Sequence, residues 1–221
     1  MLFRVAPQDP ARTHVSERDP PAARWRLAGG PSFLETLPVA TAALAFARER
    51  HAGQRRAADG APFVLHPLEV AMLLHVTGSS DQVVAAGLLH DVLEKTDAEA
   101  SDIEVRCGRA VSELVEAVTE DPSIRNRGER KAALRRQARD AGLDAVLIFA
   151  ADKVSKVREL RMRMASGRRL EEVSDKLGHY RASLAVAEEA AGGHPLVEQL
   201  RFELETLEAL PPRRTAAETR R

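Results

Sequence analysis

An adjacent histidine and aspartate, His90 and Asp91, are the first feature of this sequence that could support chemistry. They follow seven apolar or small residues, 83–89, and a run of that composition is normally buried. A carboxylate at the edge of a buried run costs several kcal/mol unless a cation or hydrogen-bond donors compensate its charge. The pair therefore requires a partner, and a metal ion is the simplest one.

Two further residues could complete such a site. Asp152 ends a second apolar run, residues 145–151, and His66 stands immediately before Pro67 at the start of a predicted helix. Two imidazoles and two carboxylates form a mixed nitrogen and oxygen set, which suits manganese, iron or zinc better than calcium. Four protein ligands leave positions on a six-coordinate ion for water and a substrate oxygen, the arrangement of metal-assisted hydrolysis.

Each candidate ligand also has a purely structural interpretation. A histidine before a proline, such as His66, is commonly a capping or packing residue, and an isolated His-Asp dipeptide is a weak indication of a metal site. Both aspartates, however, end buried runs, which is hard to explain for unpaired charges. This coincidence favours the metal site.

The elements that must position these residues follow from the apolar periodicity of the chain. No segment alternates like a half-buried strand for more than a few residues, so the expected fold class is all-α, with about seven to nine helices in one domain. Helices are expected near residues 34–50, 67–74, 80–93, 101–107, 109–119, 145–160, 169–190 and 195–209. The β-branched residues of the second apolar run also permit a strand, but its helical pattern continues to Leu160 without a turn signal. The candidate ligands would then come from three helices of one bundle.

The two ends of the chain differ from its middle. Residues 1–34 contain several prolines and arginines without a sustained period, and we expect a poorly ordered leader. The domain is expected to span residues 35–210. The tail, residues 211–221, has no large apolar side chain to bury, so we expect it to be disordered.

Composition restricts the class of protein. The chain has 221 residues, enough for one large domain, and its 33 basic and 33 acidic residues cancel, which gives no argument for an anionic partner. The single cysteine, Cys107, excludes an intramolecular disulfide and a thiolate zinc cluster. No apolar run approaches the roughly 20 residues that span a bilayer, and no secretory signal is present. We therefore expect a cytoplasmic protein without a membrane partner; its oligomeric state stays open.

Five segments carry a resemblance to a known family. They are His51-Ala-Gly-Gln-Arg-Arg, Gly60-Ala-Pro-Phe-Val-Leu-His-Pro, Ala86-Gly-Leu-Leu-His-Asp-Val-Leu-Glu, Val115-Glu-Ala-Val-Thr-Glu-Asp and Ala151-Asp-Lys. In order and approximate spacing they resemble the HD-domain alarmone hydrolases, the stringent-response enzymes that hydrolyse (p)ppGpp. The resemblance runs from about residue 36 to 165. It implies the small, single-domain hydrolase type, because the chain is too short for the family's synthetase domain.

The resemblance implies a reaction and a set of site residues. In that family a manganese ion is held by two histidines and two aspartates, and the matching residues here are His66, His90, Asp91 and Asp152. Hydrolysis releases the 3′-pyrophosphate from a guanosine polyphosphate. The residue matching Glu94 is assigned to activation of the metal-bound water, and in one continuous helix it would share a face with His90. The residue matching Arg56 lies against the guanine base, with an aromatic at the position of Phe63, whereas His51 is interpreted as structural.

The chain departs from the family pattern around the site. The family usually reads His-Asp-x-x-Glu-Asp, and the second acid is Lys95 here. It also reads Asp-Lys-x-x-Asn, and the asparagine, which contacts the substrate ribose, is Lys156 here. A lysine common after the position of Arg56 is Ala57, so the site gains about two positive charges in all. The residues that we assign to substrate binding are Arg56, Phe63, Lys95, Lys153 and Lys156.

These departures leave alternatives open. Lys95 and Lys156 each stand four residues after a proposed ligand, so their ammonium groups can pair with those carboxylates and weaken the metal, or bind a polyanion in the cleft. The basic residues 125–139 can cover the cleft or form a solvated helix face. With aromatic residues at 4%, nucleic acid is not expected as a partner. The alternative functions are an HD hydrolase of another nucleotide and a degenerate HD module that binds a nucleotide or protein without turnover.

Overall fold

The computed structural model describes residues 31–165 and 171–209, and every regular element within those ranges is a helix. A short 3₁₀ helix, Ser32–Thr36, precedes ten α-helices. These are α1 Pro38–Arg50, α2 Leu65–Val76, α3 Asp81–Leu89, α4 Val92–Lys95, α5 Ala100–Cys107, α6 Arg109–Ala117, α7 Arg127–Asp140, α8 Leu143–Ala165, α9 Glu171–Ala191 and α10 Pro195–Ala209. The all-α prediction is confirmed, because nine of these helices in the described ranges exceed the single turn of α4.

The third helix, α3, lies at the centre of the domain. Its residues 83–89 are all buried, and it packs against α1, α2, α6 and α8. Such a position requires a helix that is apolar on every side, which explains why this segment shows no polar face. Because α3 ends inside the bundle, the two residues that follow it, His90 and Asp91, are buried as well.

The predicted continuous helix over residues 80–93 is wrong at its most important point. The helix ends at Leu89 and resumes as α4 at Val92, with His90 and Asp91 in the break. His90 Nδ1 donates to the carbonyl oxygen of Gly87 at 2.8 Å, and that oxygen would accept the backbone N–H of Asp91 in an uninterrupted helix. A side chain thus competes with the backbone for one acceptor, and the helix stops there.

The eighth helix, α8, carries the second buried run. Residues 145–151 are buried within it and it packs against α2, α3, α9 and α10, so the helical interpretation of this run is confirmed. Asp152 follows in the same helix and is 5% exposed. Packing of α8 on α2 and α3 brings this carboxylate to the break that holds His90 and Asp91.

A side chain from a distant part of the sequence caps the N-terminus of α1. Leu37 precedes that helix and offers no side-chain cap. The carboxylate of Asp81, in the first turn of α3, instead accepts from the backbone N–H groups of Val39 and Ala40 at 3.0 and 2.8 Å. An anion at a helix N-terminus satisfies orphan donors and matches the helix dipole, so Asp81 joins α1 to the central helix.

The predicted leader and tail fall largely outside the described residues, since residues 1–30 and 210–221 are not among them. At the boundary, Leu34 of the 3₁₀ helix is 2% exposed and belongs to the core. None of the described helices combines the length and apolarity needed to cross a membrane.

Candidate metal centre and adjoining cavities

The four candidate ligands meet in the interior of the bundle. His66 lies in the first turn of α2, the His90 and Asp91 pair lies in the break after α3, and Asp152 lies midway along α8. His66 Nε2 is 3.2 Å from His90 Nε2 and 3.2 Å from Asp152 Oδ1. Asp91 Oδ2 is 3.5 Å from the Nε2 atom of each histidine. The structure therefore brings together the residues that the sequence placed in three separate segments.

The hydrogen bonds behind the two imidazoles determine where their protons lie. His90 Nδ1 faces the Gly87 carbonyl oxygen, which only accepts, so Nδ1 carries the proton. His66 Nδ1 lies 2.9 Å from Ser155 Oγ, and the single hydroxyl hydrogen of Ser155 is donated to Glu69 Oε2 at 2.6 Å. His66 Nδ1 must therefore carry a proton too. In the neutral form of each imidazole, Nε2 then presents its lone pair to the carboxylate oxygens.

This arrangement fits a metal ion. When both imidazoles are neutral, neither has a proton to place between Nε2 and the acidic oxygens, and Asp91 Oδ2 is buried with no hydrogen-bond donor among the described residues. The ligand atoms of His66, His90 and Asp152 all lie within 4.8 Å of one another. Asp91 stands outside this group of three, and its Oδ2 approaches the two histidines at 3.5 Å. Converging lone pairs of nitrogen and oxygen are stabilised by a cation, and imidazoles held through their other nitrogen are typical of metal ligands.

Lysines surround the two carboxylates. Lys156 Nζ lies 2.9 Å from Asp152 Oδ1, and Lys153 Nζ lies 2.5 Å from Asp152 Oδ2 and 4.1 Å from the centroid of the Phe149 ring. Lys95 Nζ lies 3.6 Å from Asp91 Oδ1. Lys95 and Lys156 thus pair with the carboxylates, and both also line the cavities beside the cluster.

These charges keep the carboxylates ionised. Burial by itself raises the pKa of Asp152, but Lys153 and Lys156 outweigh it and hold that pKa well below its usual value. The pKa of Asp91 is lowered in the same way, because Lys156, His90 and Lys95 outweigh the effect of burial. Burial lowers the pKa of Lys153 to about 8 in spite of its aspartate partner. Both aspartates are thus anionic at neutral pH and able to bind a cation.

A basic cavity of 290 Å³ adjoins this cluster. Its walls carry seven cationic side chains: Lys95, Arg127, Lys131, Lys153, Lys156, Arg163 and Lys176. Three glutamates also line it, Glu94, Glu120 and Glu159, together with His179 and Tyr180. From the basic segment 125–139, Arg127 and Lys131 line this cavity, while Arg136 is exposed to solvent. The segment thus takes both of the roles that the sequence left open, and an excess of positive charge in a concave wall favours a polyanion.

A second space, the Phe63 cavity of 480 Å³, includes the proposed ligands His66 and Asp91 in its wall. It is lined by the loop residues Gln54, Arg55, Arg56 and Ala57, and by Phe63, His66, Asp91, Lys95, Lys156 and Glu159. Lys95 and Lys156 line both cavities, so the metal-ligand cluster lies at their junction. Arg56 pairs with Asp59 at the wall. His51 packs on the Phe63 ring at 4.8 Å and contacts Gln54, and it stands outside the group of potential ligands.

Glu94 lies beside the cluster, but not through the helix face that the sequence predicted it to share with His90. His90 lies in the break and Glu94 in α4, so the prediction that the two share a face of one continuous helix is wrong. Glu94 nevertheless lines the basic cavity, and its Oε1 accepts the backbone N–H of Glu120 at 2.7 Å. Its catalytic role stays a prediction.

Sequence reasoning missed the residues that hold His66. Glu69 lies three positions after His66 in α2, and Ser155 lies three positions after Asp152 in α8. Residues three apart share a helix face, so both could have been identified once the ligands were suspected. The contribution of Lys176 to the basic cavity gave no such signal, because it depends on how α9 packs.

The fold and the cluster together define an all-α protein with a potential metal site inside its helical core. Residues 43–179 match the HD-domain family, which is more than half of the chain. The protein belongs to the HD-domain family, and the resemblance drawn from its motifs is confirmed.

Two curated proteins are similar to this chain in sequence. The chain is 35% identical over 117 residues to guanosine-3′,5′-bis(diphosphate) 3′-pyrophosphohydrolase of Aquifex aeolicus, covering 52% of this chain and 17% of that protein. It is 40% identical over 118 residues to the Homo sapiens enzyme guanosine-3′,5′-bis(diphosphate) 3′-pyrophosphohydrolase MESH1, covering 52% of this chain and 65% of that protein. The chain thus spans less than two thirds of the length of these relatives.

Solved structures show the same relationship. A structure described as "A metazoan ortholog of SpoT hydrolyzes ppGpp and plays a role in starvation responses" superposes with a TM-score of 0.70 at 28% identity, covering 82% of this chain and 99% of that one. A protein from Listeria monocytogenes EGD-e superposes with a TM-score of 0.57 at 26% identity, covering 64% of this chain and 92% of that one. The likeness to the first structure extends over nearly all of that smaller chain.

Proposed function

We propose that this protein is a manganese-dependent pyrophosphohydrolase that releases pyrophosphate from the 3′ position of a guanosine polyphosphate such as ppGpp. The observation that carries the proposal is the cluster of two imidazole lone pairs and two anionic carboxylates between a basic cavity and an aromatic one. The similarity to relatives named for this reaction supports it. Manganese suits the mixed imidazole and carboxylate ligands.

The ion would be held by His66, His90, Asp91 and Asp152. When bound, it lowers the pKa of a water molecule and polarises a phosphoryl oxygen. Lys153 supports this set from behind, since its ammonium group holds Asp152 Oδ2 and leaves Oδ1 toward the imidazoles.

The two cavities provide places for the two halves of a nucleotide. In the Phe63 cavity, the aromatic ring and Arg56 supply flat surfaces suited to a purine base. In the basic cavity, lysines and arginines from α4, α7, α8 and α9 supply the charge to bind phosphates. Lys95 and Lys156 at the junction meet the phosphate nearest the cluster.

We assign to Glu94 the role of proton acceptor. The Glu120 N–H holds Glu94 Oε1, which fixes the carboxylate on the wall of the basic cavity. As water attacks phosphorus, Glu94 takes one of its protons, and the bond between phosphorus and the ribose 3′ oxygen breaks. The 3′ oxygen then takes up a proton, so the products are GDP, or GTP from pppGpp, and pyrophosphate.

The test is hydrolysis of ppGpp by the purified protein with added manganese. GDP and pyrophosphate are expected in equal amounts, and Asp91→Ala is expected to lower the rate by roughly 100-fold or more, because it removes a metal ligand. Asp97→Ala is the matched control, since Asp97 lies six positions further along and its side chain is 90% exposed. Manganese-loaded protein that leaves ppGpp intact would overturn the proposal.

A second candidate is a nucleotide-binding module without turnover. The ion pairs of Lys95 and Lys156 with the ligand carboxylates favour it, because these ammonium groups compete with a metal. This candidate predicts nucleotide binding to protein that contains no metal after purification and gains none on dialysis against manganese. Stoichiometric manganese would reject it, and a nucleotide panel would then identify the substrate.

A further inference from the structure

Behind the proposed metal ligand His66 lie two side chains with no part in the reaction above, the buried Ser155 and the partly exposed Glu69. Ser155, 3% exposed on α8, contacts His66 Nδ1 on one side and Glu69 of α2 on the other. Neither Ser155 nor Glu69 lines the basic cavity or the Phe63 cavity.

The direction of each hydrogen bond in this pair is fixed. Arg158 Nη1 donates to Glu69 Oε1 at 3.0 Å, while Ser155 Oγ donates to Glu69 Oε2 at 2.6 Å. Arg158 is held in turn by Glu203 of α10 through a 2.6 Å hydrogen bond. Since a guanidinium only donates and a carboxylate only accepts, the Ser155 hydrogen points to Glu69, and Ser155 Oγ is left to accept from His66.

We infer that Glu69 and Ser155 are positioning residues that hold His66 in the tautomer protonated at Nδ1. Only in that tautomer does Nε2 offer a lone pair to a metal, so these two residues control the metal affinity of the site. The inference rests on the proposed function where it concerns the metal, whereas the tautomer is a property of the protein alone. At His90 the Gly87 carbonyl oxygen has the same effect.

Three variants test the role of these side chains. Ser155→Ala removes the acceptor for the His66 proton. Glu69→Gln keeps the shape, but its amide can donate to Ser155 Oγ, which frees the hydroxyl hydrogen to face His66 Nδ1 and reverses the preferred tautomer. Ser155→Thr keeps a hydroxyl at the same place and should restore wild-type behaviour.

Manganese affinity is the first readout, measured by titration against a competing chelator. The dissociation constant is expected to rise roughly 10- to 100-fold in Ser155→Ala and Glu69→Gln, and by no more than about threefold in Ser155→Thr. Glu203→Gln is the matched control. It makes the same carboxylate-to-amide change at the second glutamate that pairs with Arg158, and Glu203 is linked to Ser155 through Arg158 and Glu69. Its affinity should stay near that of the wild type even if its stability falls.

The tautomer is the second readout, measured on metal-free protein by nitrogen-15 shifts of the imidazole rings. The His66 signals are identified by their loss in His66→Gln. Wild type, Ser155→Thr and Glu203→Gln should show protonated Nδ1, and Glu69→Gln should show protonated Nε2. Wild-type tautomer and affinity in both Ser155→Ala and Glu69→Gln would overturn the inference. Wild-type protein that binds no manganese would refute the proposed function, while these shifts would still decide whether Glu69 and Ser155 set the tautomer.

Discussion

Lys156 places its ammonium group 2.9 Å from Asp152 Oδ1, the oxygen that faces both imidazoles. Burial alone would lower the pKa of Lys156, but Asp152 and Asp91 raise it above its usual value, so the side chain is charged at neutral pH. A divalent ion at the cluster would share Asp152 with this charge at close range. Repulsion between the two cations weakens the binding of the metal.

The variant Lys156→Asn should therefore bind manganese about tenfold more tightly than the wild type, because it removes the competing charge. It should also bind a polyphosphate nucleotide more weakly, since Lys156 lines both cavities. Titration calorimetry with each ligand measures both effects, and Lys156→Arg is the control that keeps the charge. Equal manganese affinity in all three proteins would contradict the competition.

His179 is a second residue whose environment determines its charge. Its pKa is lowered to about 3, because it is buried and because Lys153, Lys131 and Arg135 oppose another positive charge. Arg135 Nη1 lies 2.8 Å from His179 Nδ1, and since a guanidinium only donates, Nδ1 accepts from it. The imidazole is therefore neutral in the folded protein throughout the physiological range.

This neutral histidine should make the fold sensitive to acid. The unfolded chain binds a proton at His179 below a pH of about 6.5, whereas the folded protein does not until about pH 3, so stability decreases as pH falls between these values. Between pH 7 and pH 5, wild type should lose about 2 kcal/mol more free energy of unfolding than His179→Gln. Urea denaturation at pH 7, 6 and 5 measures this difference, and parallel curves for the two proteins would contradict it.

At the scale of the elements, the site depends on the close approach of α2 and α3. Gly87 of α3 faces α2, and a Cβ atom there would lie 2.4 Å from Leu74 Cδ1 and 3.4 Å from Val70 Cγ1. Both neighbours are fully buried and have little room to move. The absence of a side chain at Gly87 thus allows α2 to bring His66 against His90.

Gly87→Ala should destabilise the protein by about 1–3 kcal/mol, because it overpacks this contact. The matched control is Gly178→Ala on the exposed face of α9, where a Cβ would meet nothing within 4 Å. That change should stabilise the fold by about 0.5–1 kcal/mol, since alanine restricts the unfolded chain more than glycine does. Chemical denaturation compares the two, and equal effects at both positions would show that the approach of α2 and α3 is not tight.

Over the whole molecule, a formal net charge of zero conceals a local asymmetry. Seven lysines and arginines but only three glutamates line the basic cavity. This excess of positive charge attracts a polyanion, and added salt shortens the distance over which the attraction acts. Raising potassium chloride from about 50 to about 500 mM should increase the KM for ppGpp roughly tenfold with little change in kcat.

Two arginine variants of α7 test whether the charge of the basic cavity causes this dependence of KM on salt. Arg127 lines the basic cavity, while Arg136 is an exposed residue of the same helix that does not. Arg127→Gln should show a weaker dependence of KM on salt, and Arg136→Gln should resemble the wild type. Identical salt dependence in both variants would indicate that the field of the cavity does not guide the nucleotide.

The amino-acid sequence by itself determined the helical class, the two apolar runs that must be buried, and the residues most in need of a cation. These follow from local pattern and from the cost of burying charge, which need no coordinates. The sequence could not locate the helix break at His90, because that break depends on a side chain taking the Gly87 carbonyl oxygen from the backbone.

Only the tertiary structure decided which charges meet. The chain from His66 through Ser155 to Glu69 and the basic cavity shared by α4, α7, α8 and α9 depend on distances between segments far apart in sequence. The ion pairs of Lys95 and Lys156 depend on which way each side chain turns once the helices have packed. Hydrogen-bond direction and electrostatic attraction change steeply over an ångström, whereas sequence spacing fixes only which residues share a helix face. The pattern of residues therefore indicated the metal ligands, and the packing of the helices decided their protons, their competing cations and their access to a substrate.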